Sequence, residues 1–209
     1  MKKLFGGIKM RWLYVIIFAL LAGVYTGIMM QIPALNETSF QDIGISYEWW
    51  VIFAVILVVN CEKSWEGMLK CFVFFLISQP IVYLVEILGG SLTFEMGKYY
   101  YFNGWFQMTL LTLPGGLIAY FCKKQNVLGA VILGLGNTIQ AVLGVYYISA
   151  MIRNFPHHLL SAVVCAASVI IMSLTIQKEK RGRIISIAVP VVLVLILIVA
   201  GSVTGTVVF

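Results

Sequence analysis

Apolar positions along the chain fall into seven long runs, about 12–32, 45–61, 68–89, 104–122, 127–150, 157–177 and 184–207, with polar residues confined mostly to the breaks. Each run predicts a helix. At ~1.5 Å of rise per residue each can cross a ~30 Å hydrocarbon layer, although 45–61 only just does so. The pattern predicts an all-α polytopic membrane bundle of about seven transmembrane helices, one integral domain over residues 1–209.

The polar breaks alternate in charge. Twelve of the fourteen Lys and Arg residues lie on one set of alternate breaks, and only Lys98 and Arg153 lie on the other. The first set holds Lys2, Lys3, Lys9, Arg11, Lys63, Lys70, Lys123, Lys124, Lys178, Lys180, Arg181 and Arg183, with three acids, Glu62, Glu66 and Glu179. The second set holds five acids, Glu37, Asp42, Glu48, Glu86 and Glu95. Cationic loops translocate poorly, so this asymmetry predicts a cytoplasmic amino terminus and an external carboxyl terminus.

Composition narrows the class further. At 61% hydrophobic and 11% charged residues, the chain is too apolar for a water-soluble core, and its spans leave no length for a soluble catalytic module. The net charge of +6 is basic juxtamembrane charge facing anionic headgroups, and nucleic acid is not an expected partner. The first apolar run is longer than a cleaved signal segment and lacks a small-x-small site, so it is expected to be retained as a helix. Cys61, Cys71 and Cys122 fall at cytoplasmic helix ends and Cys165 within the sixth run, which argues against disulfides and thiol redox chemistry.

The cytoplasmic turns are short, whereas two external connections, Pro33–Ser46 and Gly90–Asn103, are longer and carry more varied residues. The first includes Asn36-Glu37-Thr38, an acceptor pattern for glycosylation that arises often by chance. Small residues at helical spacing predict close helix crossings. They are Ala19, Gly23 and Gly27 in the first run, Gly115 and Ala119 in the fourth, and Ala162 and Ala166 in the sixth. In the fifth, Gly129, Gly136, Asn137, Gln140 and Gly144 lie close to one stripe, continued by Tyr147. The first-run stripe is also a candidate docking face for a partner subunit or for self-association. In outline the chain is similar to the small substrate-capturing membrane subunits of energy-coupling-factor vitamin transporters, through the Ala19, Gly23, Gly27 series on one helix. That family typically has six spans. The resemblance implies capture of a ligand from outside.

Polar groups within the runs supply the candidate site. Gln79, Tyr83 and Glu86 share a face at i, i+4, i+7, next to Pro80, which removes a backbone donor and predicts a kink. Asn137 and Gln140 are candidates to face the same cavity. Aromatic residues gather at the external ends, among them Tyr47, Trp49, Trp50, Tyr99 to Tyr101 and Trp105, with His157 and His158 nearby. The expected site is therefore an outward-facing aromatic and acidic cavity built from Gln79, Tyr83, Glu86, Trp105, Asn137, Gln140 and His157. Such a cavity would bind or transport a small solute across the cell membrane.

Two alternatives stand beside this reading. One is acid–base chemistry on a lipid or external substrate through Glu86 with His157 or His158, and the other is a non-transporting assembly or sensory subunit. HExxH and GxSxG patterns are absent, and Asp42 is the only aspartate, so no catalytic residue is assigned. Adjacent histidines point ~100° apart on a helix, so no metal site or cofactor is expected.

Overall fold

The computed structural model describes residues 4–36, 38–45 and 47–204, without the side chains of 43–45 and 201–204. Lys2, Lys3, the central residue of the glycosylation pattern and positions 205–207 of the last apolar run lie outside the described residues. The elements are α1 (Trp12–Met29), α2 (Ser39–Ile45), α3 (Tyr47–Val59), α4 (Ser64–Leu88), α5 (Phe94–Tyr100), α6 (Phe106–Ala119), α7 (Val127–Arg153), α8 (Leu159–Ile176) and α9 (Lys180–Thr204). The protein is an all-helical membrane bundle. Among the described residues six helical runs are long and apolar enough to span, and α3 is the short exception at 13 residues, or ~20 Å.

The polar breaks explain where helices begin. Asn126 caps α7 by accepting a hydrogen bond from Gly129 N at 2.8 Å, and Thr93 caps α5 through Met96 N at 3.3 Å. The second cap starts a helix where the long external connection Gly90–Asn103 was expected. From Phe94 the chain stays helical through a π turn at Tyr101–Trp105, α6 and a 3-10 turn ending at Lys123. The loop at 33–46 likewise contains α2, which lies against α1 and α8. α4 continues through Pro80 as a single helix.

The cation-bearing turns meet at one end of the bundle. Gln177 Nε2 donates to Cys122 O at 2.7 Å, Gln125 Nε2 donates to Ile176 O at 2.9 Å, and Lys123 Nζ donates to Cys61 O. This is the basic end.

Packing divides the helices into two groups, α1–α4–α6 and α7–α8–α9, with α3 between them. The first group is closed by small residues and rings. A side chain at Gly23 would come within 2.6 Å of Ser78 O, and one at Gly27 within 2.7 Å of Val85 Cβ. The stripe of Ala19, Gly23 and Gly27 is thus occupied by α4 of the same chain, and a partner could use it only if α1 left α4. Phe18, Trp50, Phe53 and Phe74 form an aromatic core beneath it, with Phe18 and Phe53 centroids 5.0 Å apart.

Two of the expected seams shift by one or two residues. Gly116, rather than Gly115, makes the close crossing of α6 on α4, where an added carbon would lie 3.2 Å from Met68 Cα. On α7, Gly134 meets Val189 of α9 and Gly144 meets Cys165 of α8, while Gly136 faces open space. Gly136 is one residue, hence ~100°, around the helix from the buried Asn137, so it leaves the stripe.

Candidate functional site: a crevice between the two helix groups

Because α6 and α7 barely touch and α3 is short, a cleft opens between the two groups with α3 as its back wall. Its volume is about 370 Å³. Tyr47 and Trp105 stand at the end opposite the basic turns, their rings 6.2 Å apart. From there the cleft runs along Trp50, Val51, Ala54, Val55 and Val58 of α3 towards Cys71 and Ala119. The stretch from Tyr47 to Val58 corresponds to ~17 Å of helix. Gly115 and Gly136 lie on opposite lips, and a side-chain carbon at either would meet nothing within 4 Å.

The walls are apolar in practice as well as in composition. The threonine hydroxyls that line the cleft are spent on their own helix: Thr109 Oγ1 donates to Trp105 O at 2.8 Å, and Thr112 Oγ1 donates to Thr109 O at 2.6 Å. Such a surface offers dispersion contacts and very few hydrogen bonds. A strongly hydrated solute entering it would lose its water shell with little in return.

The residues expected to share one cavity are distributed over several places. Trp105 lines the crevice. Tyr83 lines a separate cleft of about 510 Å³ on the α4–α5 face, with Tyr101, Phe102 and Lys98. Gln79 and Glu86 are buried on α4, and Gln79 Nε2 has no hydrogen-bond partner among the described residues. Asn137 is fully buried and joins three helices: its Nδ2 donates to Ser173 Oγ at 3.0 Å and Ser186 O at 3.2 Å. Gln140, also fully buried, donates from Nε2 to Glu48 O at 2.8 Å and accepts from Ser168 Oγ at 3.1 Å. These two amides bind α7 to its neighbours. His157 is exposed at the turn before α8.

His158 has a different role. Its Nδ1 lies 2.7 Å from Asp42 Oδ2, which also accepts from Ser161 Oγ at 2.6 Å. Its ring stacks on Tyr147 with centroids 5.4 Å apart. His158 holds a left-handed backbone at φ 61°, a conformation that disfavours a non-glycine side chain and that these contacts offset. The serine directs its proton to the aspartate and not to the imidazole, so the trio lacks the serine–histidine bond of a nucleophile relay. It clasps α2 onto α8.

The chain matches no protein-family model, no curated protein and no solved structure. The likeness to vitamin-capturing subunits therefore stays with the small-residue series of α1, and that series is engaged by α4.

The crevice was only partly visible in the sequence. Trp105 and Tyr47 stood out as aromatic residues at run ends. The signal for the lips was weak: Gly115 and Gly136 look like packing glycines until the structure shows that nothing packs on them.

Proposed function

We propose that this multi-pass membrane protein binds a small apolar or amphipathic molecule, reached from the external leaflet of the cell membrane, as the binding step of a carrier or receptor. The carrying observation is the crevice itself: apolar walls, glycine lips with open space above them, and an aromatic pair at the mouth opposite the basic turns. Its volume of about 370 Å³ falls near the lower end of the ~300–1,000 Å³ usual for ligand sites, which suits one chain or one small ring system. Tyr and Trp at the mouth suit a ligand with an apolar body and a polar end at headgroup level. The reading keeps the expected outward-facing aromatic entrance and replaces an acidic interior with an apolar one. Catalysis through Glu86 and a histidine has less support, since His158 is bonded to Asp42 and His157 faces outward.

The test uses the full chain in nanodiscs with a photoactivatable long-chain fatty acid. Crosslinks are expected on α3, α6 and α7 around Tyr47, Met108 and Ile139. Gly115→Leu and Gly136→Leu place side chains in open space and raise helix propensity, so they should fold normally. Each should cut crosslinking about tenfold, equivalent to a loss of ~1.4 kcal/mol. Equal labelling of the parent and both filled variants would sink the proposal.

A further inference from the structure

The basic end carries a second, chemically opposite cavity. Residues 4–11 are drawn across this end by the side-chain amide of Asn60. Its Oδ1 accepts from Gly6 N at 3.0 Å and Ile8 N at 2.7 Å, and its Nδ2 donates to Leu4 O at 2.6 Å and Ile56 O at 2.8 Å. Gly6, at φ 103°, supplies the left-handed turn that brings both amides to one oxygen. Met10 is buried, and its carbonyl accepts from Lys70 Nζ. The leader is thereby one wall of a cavity of about 730 Å³.

Four cations and two acids border that cavity: Lys9, Arg11, Lys70 and Lys123 against Glu62 and Glu66. Glu66 is paired with Lys70. Lys123 is held by Cys61 O and lies 3.9 Å from the centroid of the Tyr120 ring, partners that fix its position without cancelling its charge. Lys9 and Arg11 are exposed and have no carboxylate partner among the described residues. Three cations therefore face one space with Glu62 alone to offset them, an arrangement that an anion would stabilise. An arginine beside lysines is the combination that grips phosphate oxygens. Trp12, 44% exposed at the cavity's edge, has Lys70 Nζ 5.5 Å from its ring centroid, which sets the site at headgroup level.

We propose that this cavity binds a phosphate-bearing anion, whose source is the headgroup of an anionic phospholipid or a soluble phosphate compound. It is separate from the apolar crevice and does not depend on it.

The experiment uses the full chain with two probes. The first is retention of phosphatidylglycerol after extraction from phosphatidylcholine nanodiscs doped with it, read by native mass spectrometry. The second is inorganic pyrophosphate, read by calorimetry. Lys9→Gln combined with Arg11→Gln should weaken the effective probe about tenfold, whereas Lys178→Gln with Lys180→Gln, at exposed sites outside the cavity, should change it less than about twofold. Glu62→Gln, which removes the offsetting acid, should tighten binding. Retention of lipid without pyrophosphate binding assigns the headgroup as source; pyrophosphate binding that displaces lipid assigns a soluble phosphate. Binding of neither probe overturns the proposal. So does an equal loss in the control pair, which would reduce the effect to general surface charge.

Discussion

The two helix groups are held together by different means. α1 meets α4 through glycines that bring one backbone against another, and its nearest neighbours are Ser78 O and the Val85 side chain. α7 meets α8 and α9 partly through glycines too, but its centre is bridged by Asn137 and Gln140. In lipid, apolar burial alone does not favour helix association, so close backbone approach and interhelical hydrogen bonds are the two available devices. The comparison teaches that an amide at membrane depth can be a fastener as readily as a ligand contact. Here Asn137 and Gln140 hydrogen-bond α7 to its neighbours, and the apolar crevice lies where neither device operates, between α6 and α7.

Five substitutions can break or sharpen this contrast, in falling order of effect. Gly23→Leu should be the most damaging, because the obstacle is the backbone oxygen of Ser78 at 2.6 Å and α1 would have to leave α4. The expected cost is about 3 kcal/mol or more, seen as loss of the monodisperse folded species in detergent. Gly134→Leu should cost less, since its obstacle is the Val189 side chain. Equal losses would show that the two seams do not differ in kind.

Asp42→Ala comes next. It removes the acceptor shared by His158 and Ser161, with an expected destabilisation of about 2 kcal/mol and faster proteolysis at the α2 loop. Unchanged proteolysis would mean that the clasp does not hold α2. The smallest effects are expected for Asn137→Leu and Gln140→Leu, about 0.6 kcal/mol each and at most about 1.7, by thermal unfolding in detergent. Fatty-acid crosslinking should be unaffected by both. A large loss of labelling with normal stability would return the amides to a ligand role.

Much of the bundle was legible in the apolar runs, because a span must be nearly continuous in apolar residues and so writes itself locally. Over the described residues each predicted segment falls on a helix, with ends within a few residues except for the fourth, whose helical run already begins at Phe94. What failed was the reading of connections. Gly90–Asn103 looks like a loop by its polarity, yet Thr93 caps a helix that runs on into α6. The face of a helix in lipid was also hard to read. With apolar residues all round, no amphipathic stripe separates buried from exposed sides, so Gly115 and Gly116 were interchangeable until α4 chose between them. Gln79, Tyr83 and Glu86 do lie along one side of α4, but a shared side is not a shared cavity.

The sequence by itself determined the solvent of this protein and the order of its turns. Hydrocarbon demands long apolar helices, and positive charge resists translocation, so both properties are sums over local residues. Only the tertiary structure decided which side of each helix is covered, that α1 spends its small residues on α4, and that α6 and α7 stay apart over a short α3. It also decided that Asn60 folds the leader into a wall beside Lys70 and Lys123. These outcomes depend on pairs of residues tens of positions apart, whose complementarity in shape and hydrogen bonding leaves no trace in either residue alone.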